Sequence, residues 1–208
     1  MDTLAQLFGS AIRVKLMRLF LFNPEGAFSL AECTKRVKGT SQEVRKEIAK
    51  LIMAGVVKKR SVVREIHSKK KPNAPVRKVH ELGYSLEQRF LYLQSLKNLL
   101  ITVSLHADDS LIKKLGSIGK LKLLIASGVF IQEWDTRIDL LIVGDDLNMV
   151  RLAAVMSLIE SETGKEISYS AFLTEDFEYR LGIHDRLIRD ILDAPHTTLV
   201  DKIGLEQK

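Results

Sequence analysis

Two reciprocal Ser/Thr-x-x-Glu signatures constrain this chain more than any other feature. Ser29 is followed by Glu32, and Thr40 by Glu43. In such a box the hydroxyl accepts an early amide hydrogen of a helix, and the carboxylate reaches back to the amide of the capping residue. The boxes therefore start two helices in close succession, within "SLAECTKRVKG" and "TSQEVRKEIAKLIMAG", with Gly39 and Gly55 as their expected stops. Upstream, Leu4, Phe8, Ile12, Leu16, Leu19 and Phe20 recur at helical spacing, which predicts one helix over residues 4–22. "NPEGAF" then breaks it with proline and glycine. In the third helix Val44, Ile48, Leu51 and Ile52 face inward, leaving Gln42, Arg45, Lys46, Ala49 and Lys50 outside.

After Gly55 the period changes. "VVKKRSVVREIHS" and "PVRKVHELGYSL" alternate valine with charge, as strands do, and the basic turn "KKKPNA" joins them into a hairpin. Two short helices, the second with a polar and basic face, fit a helix-turn-helix, whose second helix enters the major groove. With the hairpin added, residues 4–84 resemble the winged-helix family, through "SLAECTKRVKGTSQEVRKEIAKLIMAGVVKKR". The resemblance implies that the helix over 41–54 reads the major groove and that the hairpin tip touches phosphate or the minor groove. The implied DNA-contacting residues are Thr40, Ser41, Gln42, Arg45, Lys46, Lys50, Lys69, Lys70, Lys71 and Arg77.

Charge supports the same expectation. Residues 1–80 hold 18 Lys and Arg against 6 Asp and Glu, a net +12, and residues 81–208 hold 14 against 20, a net −6. A basic half joined to an acidic half suggests a nucleic-acid-binding part and a part with separate work, and the winged-helix resemblance implies double-stranded DNA as the partner of the first. The single cysteine, Cys33, excludes an internal disulfide framework and a cysteine zinc site. The five histidines do not pair at metal-ligand spacing, so neither metal nor cofactor is expected. "MDTLAQLFGS" lacks a basic n-region and a small-residue cleavage site, and the apolar runs are too short to span a bilayer. A cytoplasmic location with no membrane partner is expected.

Residues 87–116 carry Phe90, Leu93, Leu96, Leu100 and Val103 at helical spacing. This stripe predicts a helix that packs on its own domain or pairs two subunits. Readers of two-half-site operators are commonly two-fold dimers, so a homodimer is expected by analogy.

The acidic half alternates strand and helix. "KLKLLIASG", "RIDLLIVG", "KEISYSAFL" and "HTTLVDKIG" read as strands, with helices after the second and third. Asp145 or Asp146 is expected to cap the first of these helices, and Thr174 the second. The order strand, Gly128, loop, strand with an acid, helix resembles the nucleotidyltransferase-like fold over about residues 107–203. That family holds nucleotide phosphates on a Gly-Ser turn. Two carboxylates at i and i+2 on the next strand hold magnesium, because alternate strand residues share a face. This chain departs from the pattern. Val129 follows Gly128, with Ser127 before it, Arg137 occupies the first acid's position, and the third strand offers Ser168 and Ser170. Arg137 and Asp139 are expected to share a face and pair, which leaves Asp139 a poor magnesium ligand. Ser127, Gly128, Arg137 and Asp139 are then a relic that holds at most a nucleotide-like effector. Arg189 and His196 match the loose spacing of some helical ribonucleases by coincidence, and His184 reads as a surface or capping residue.

The reading is an α+β protein with three segments: a winged helix-turn-helix over 1–84, a linking and dimerising helix over 85–106, and a small α/β nucleotidyltransferase-like domain with a mixed sheet over 107–208. The expected function is a DNA-binding transcriptional regulator without a catalytic residue. Two alternatives stand beside it: an active nucleotidyltransferase, and the antitoxin half of a toxin–antitoxin pair.

Overall fold

The computed structural model describes residues 3–66, 77–102 and 108–205. The chain is α+β and divides into two compact units. Met1–Leu100 with Ser161–Lys165 form the first, and Ile101–Glu160 with Glu166–Lys208 the second. Among the described residues no helix is long and apolar enough to cross a membrane.

In the first unit the expected helix over residues 4–22 is two: α1 (Thr3–Leu7) and α2 (Ala11–Phe22). Gly9 turns the chain at φ 70, and the Ser10 hydroxyl accepts the Arg13 amide at 3.2 Å to start α2. A serine cap inside an apolar period competes with helix continuation, and here it wins. β1 (Ala27–Ser29), α3 (Leu30–Val37) and α4 (Ser41–Met53) follow, and both capping boxes are formed. The left-handed residue after α3 is Lys38, at φ 54, rather than Gly39. Gly39 serves a close approach instead. A Cβ there would meet Ile12 Cδ1 at 2.9 Å and Val44 Cγ2 at 3.2 Å, so a side chain at this turn would require those two side chains of α2 and α4 to give way.

Val44, Ile48 and Leu51 of α4 are buried, as their spacing predicts, while Ile52 is only partly covered. Glu47 joins them in the interior. Its carboxylate takes the Arg13 guanidinium at 2.7 Å and the Lys50 ammonium at 2.8 Å, tying α4 to the start of α2. β2 (Val57–Ile66) and β3 (Arg77–Leu86) pair antiparallel, from Val57 opposite Leu86 to Ile66 opposite Arg77. β1 pairs antiparallel with β3, giving the order β1-β3-β2. The hairpin tip lies outside the described residues.

The single helix expected over 87–116 is not formed. β3 runs to Leu86, α5 covers only Leu93–Lys97, and a π-helical turn takes Asn98–Thr102. Leu100 is buried, Phe90, Leu93 and Leu96 are half-buried, and Val103 lies outside the described residues.

The second unit holds α6 (Asp108–Leu115), β4 (Lys120–Ala126), β5 (Leu140–Asp145), α7 (Met149–Thr163), β6 (Tyr169–Phe172), α8 (Thr174–Gly182), α9 (Arg186–Asp193) and β7 (Thr197–Asp201). Its sheet has the order β6-β5-β4-β7 and is mixed. β4 is antiparallel to β5 and β7, and β5 is parallel to β6. A parallel pair needs a long crossover, which α7 supplies. Leu140 to Val143 are each fully buried, as suits a strand covered on both faces. Phe177 of α8 and Ile188 and Ile191 of α9 pack with Leu123, Ile125, Leu141 and Val143 as one core.

Two expected outcomes test this account. Ser29 is buried and its hydroxyl accepts the Glu32 amide. Ser29→Ala should destabilise α3 by about 1 kcal/mol, read from hydrogen exchange of its amides. Burial pushes the Glu47 carboxyl up, but hydrogen bonds from Lys50 and Arg13 and their charges outweigh it, so it sits below the ordinary range. A lowered folded value means that its stabilisation is present above the ordinary carboxyl range and is lost as pH falls through the lowered value. Urea titrations across acidic pH should therefore show a shallower pH dependence in Glu47→Gln than in the parent.

Candidate functional site

The solvent side of α4 is the first candidate. Ser41, Gln42, Arg45, Lys46, Ala49 and Lys50 are all exposed. Gln42, Arg45, Lys46 and Ala49 stand three and four apart, so they form one continuous stripe, which Met53 extends at 87% exposure. The stripe carries two cations and an amide, the groups that grip phosphate and read purine edges.

The structure separates the other expected contact residues by what they already do. The Thr40 hydroxyl accepts the Glu43 amide at 3.3 Å and donates to the Glu43 carboxylate at 2.7 Å, so it holds the helix start. The Thr40 hydroxyl and the Thr40 amide, both donating to the Glu43 carboxylate, keep it below its usual range. Lys50 is bound to Glu47. Arg77 is the first residue of β3, and Lys69, Lys70 and Lys71 lie outside the described residues. Lys59 and Arg60, exposed on β2, had no role in the sequence reading. Their signal was present in "VVKKRSVV", where cations interrupt a strand that needs no charge.

The second candidate is the turn from Ser127 to Asp139. Strand β5 begins at Leu140, so Arg137 and Asp139 precede it and the i, i+2 rule does not apply to them. Nor do they pair. Arg137 is exposed and binds Asp190, which Arg186 also approaches at 3.7 Å. Asp139 is 5% exposed. One carboxylate oxygen accepts the Val129 amide at 2.8 Å, and the other accepts the Ser168 amide at 2.9 Å. Its backbone is engaged as well: Ser127 N donates to its carbonyl at 2.9 Å, and its own amide donates to the Ser168 carbonyl at 2.7 Å. The Ser127 hydroxyl donates to the Ile138 carbonyl at 2.5 Å.

Gly128 adopts φ 56, and a Cβ there would lie 2.2 Å from Asp139 Oδ1. The glycine is needed so that the carboxylate can reach the next amide. Both oxygens of this carboxylate already accept a backbone amide inside a buried turn, so a metal would compete with two charge-assisted hydrogen bonds. The four residues read as a relic thus divide: Ser127, Gly128 and Asp139 form a structural knot, and Arg137 stands outside it.

The remaining acids also have partners. Neither Asp145 nor Asp146 caps α7. Asp145 accepts the Thr174 hydroxyl at 2.6 Å, and Asp146 pairs with Lys120 at 2.9 Å. Asn148 accepts the Arg151 amide at 2.9 Å in their place. Thr174 makes no cap, because it is already the first residue of α8 and Leu173 holds the capping position, and Asp185 caps α9 through Leu187 and Ile188. His196 bonds the Ala194 carbonyl at 2.8 Å, and His184 is an exposed left-handed residue at φ 53. Burial, with Glu32 nearby, pushes the Cys33 thiol up to about 12, which removes its nucleophilic form at neutral pH. Among the described residues no group of three His, Cys, Asp or Glu is placed to hold a metal.

Removing the Asp139 acceptors leaves two buried amides unpaired. Asp139→Ala is therefore expected to cost on the order of 3 kcal/mol, and Asp139→Asn roughly half that. Trp134, the single tryptophan, lies in the same loop and gives the fluorescence readout for denaturant unfolding. No protein-family model, no curated protein and no solved structure matches this chain.

Proposed function

We propose that this protein is a DNA-binding transcriptional regulator of winged-helix type. In this reading α4 enters the major groove of duplex DNA, and the basic hairpin of β2 and β3 reaches the flanking backbone. The observation that carries the proposal is the division of labour on α4. Its inner face is fixed by Val44, Ile48, Leu51 and the buried Glu47 ion pairs, while Gln42, Arg45 and Lys46 stand exposed in one stripe. The element order of helix, strand, two helices and hairpin, with β1 joined to β3, supports it. So does the net +12 of residues 1–80.

The second unit serves, on this proposal, as a nucleotidyltransferase-like frame without catalysis, used for assembly of a homodimer or for sensing an effector. The engagement of Asp139 with two backbone amides supports the non-catalytic reading over an active transferase.

Fluorescence anisotropy of labelled duplex DNA tests the proposal. Arg45→Ala and Lys46→Ala should each weaken binding, by about 1–3 kcal/mol where the side chain touches a base. Loss of a phosphate contact should instead lower the log–log salt slope by about 0.9. Unchanged affinity in both variants would remove α4 as the reader.

A further inference from the structure

The outer face of the first unit's sheet holds a cavity that α4 does not line. Val57, Phe28, Tyr84 and Leu86 turn one face of the sheet into the core. Lys58 and Arg60, two apart on β2, lie on the other face. Ser85 sits opposite Lys58 in the β2–β3 register, so its side chain points to that same face. Pro24, Lys58, Arg60, Ser85, Leu86 and Gln88 line a cavity of about 380 Å³. At roughly 30 Å³ per water, this is ample room for a solvated small anion.

Ser85 makes the cavity unusual. It is 1% exposed, and its hydroxyl has no hydrogen-bond partner, alone in this among the buried side-chain polar atoms of the described residues. Native proteins seldom leave such a group unmatched, and a water or an ion is the ordinary remedy. The chemistry around it is rich in donors. A lysine ammonium offers three N–H donors and an arginine guanidinium five, with no acceptor on either. Lys58 spends part of its capacity on Glu87 at 3.2 Å, and Arg60 is exposed beside it. The Gln88 amide, also in the lining, donates to Glu25 at 2.7 Å. The Glu87 carboxylate is an opposing charge beside Lys58, and it is held by Lys58 and by the Arg89 amide.

We propose that this cavity binds a phosphate oxyanion, with the Ser85 hydroxyl and the Arg60 guanidinium as its principal donors and Lys58 as a further cation. A tetrahedral oxyanion supplies the acceptor that Ser85 lacks and accepts two parallel bonds from a guanidinium fork. The same group occurs in a small phosphate ester and in the DNA backbone.

Calorimetric titration of inorganic phosphate into the full chain tests the site. Saturable binding at one site is expected, weakened at least tenfold in Ser85→Ala and in Arg60→Gln. Ser85→Ala should unfold at no lower temperature than the parent, because it removes an unmatched hydroxyl, so its lost binding would not reflect lost folding. Lys113→Ala, at an exposed cation of α6 outside the site, should bind phosphate as the parent does, which separates this site from general surface charge. Anisotropy on duplex DNA then assigns the source. A salt slope lowered by about 0.9 in Arg60→Gln marks the phosphate as a backbone contact, and an unchanged slope marks it as a small ester. No saturable phosphate binding, or equal affinity in both variants, would overturn the proposal and leave the cavity as a water site.

Discussion

The second unit depends on one buried carboxylate. Asp139 is a charge taken out of water, which is costly unless it is fully hydrogen-bonded. Here the compensation comes from the main chain, through the amides of Val129 and Ser168. These belong to the loop after β4 and the approach to β6, while Asp139 itself introduces β5. One side chain therefore sets where three neighbouring strands begin and end. The left-handed Gly128 and the Ser127 hydroxyl are consequences of that arrangement, since both shape the turn around the carboxylate.

The first unit uses an acid in a similar way. Glu47 faces inward from a helix whose outer side is polar, and Arg13 and Lys50 neutralise it. Removing a partner of this carboxylate leaves its charge less compensated, so the Arg13 bond favours the seating of α4 against α2 in which it forms. A helix seated in one way presents its outer stripe in one direction. Recognition by Gln42, Arg45 and Lys46 would need that orientation.

Features set by neighbours in sequence were legible, and features set by distant partners were not. Both capping boxes were readable because hydroxyl and carboxylate lie within one helical turn. The hairpin was readable because period and turn chemistry agree across it. The break at Gly9 and Ser10 was hidden by an apolar period that continues through it. Arg137 illustrates the other limit. Its spacing from Asp139 suggested a pair, but β5 starts after both residues, and Asp190, far along the chain, supplies the acid. Asp145, Asp146 and Thr174 each looked like a helix cap, and tertiary partners claimed all three. The exposed cations of β2 were visible as residues, but the unmatched Ser85 hydroxyl beneath them emerges only when the strands are paired.

The turn between α3 and α4 has a consequence for how this lineage can vary. A side chain at Gly39 would press first on the Ile12 and Val44 side chains, not on backbone, so its cost would fall on how closely α2 and α4 pack beside the turn. Changes on the exposed face of α4 alter what the helix presents, one residue at a time. A change at Gly39 acts on the packing beneath that face and reaches the surface only through it.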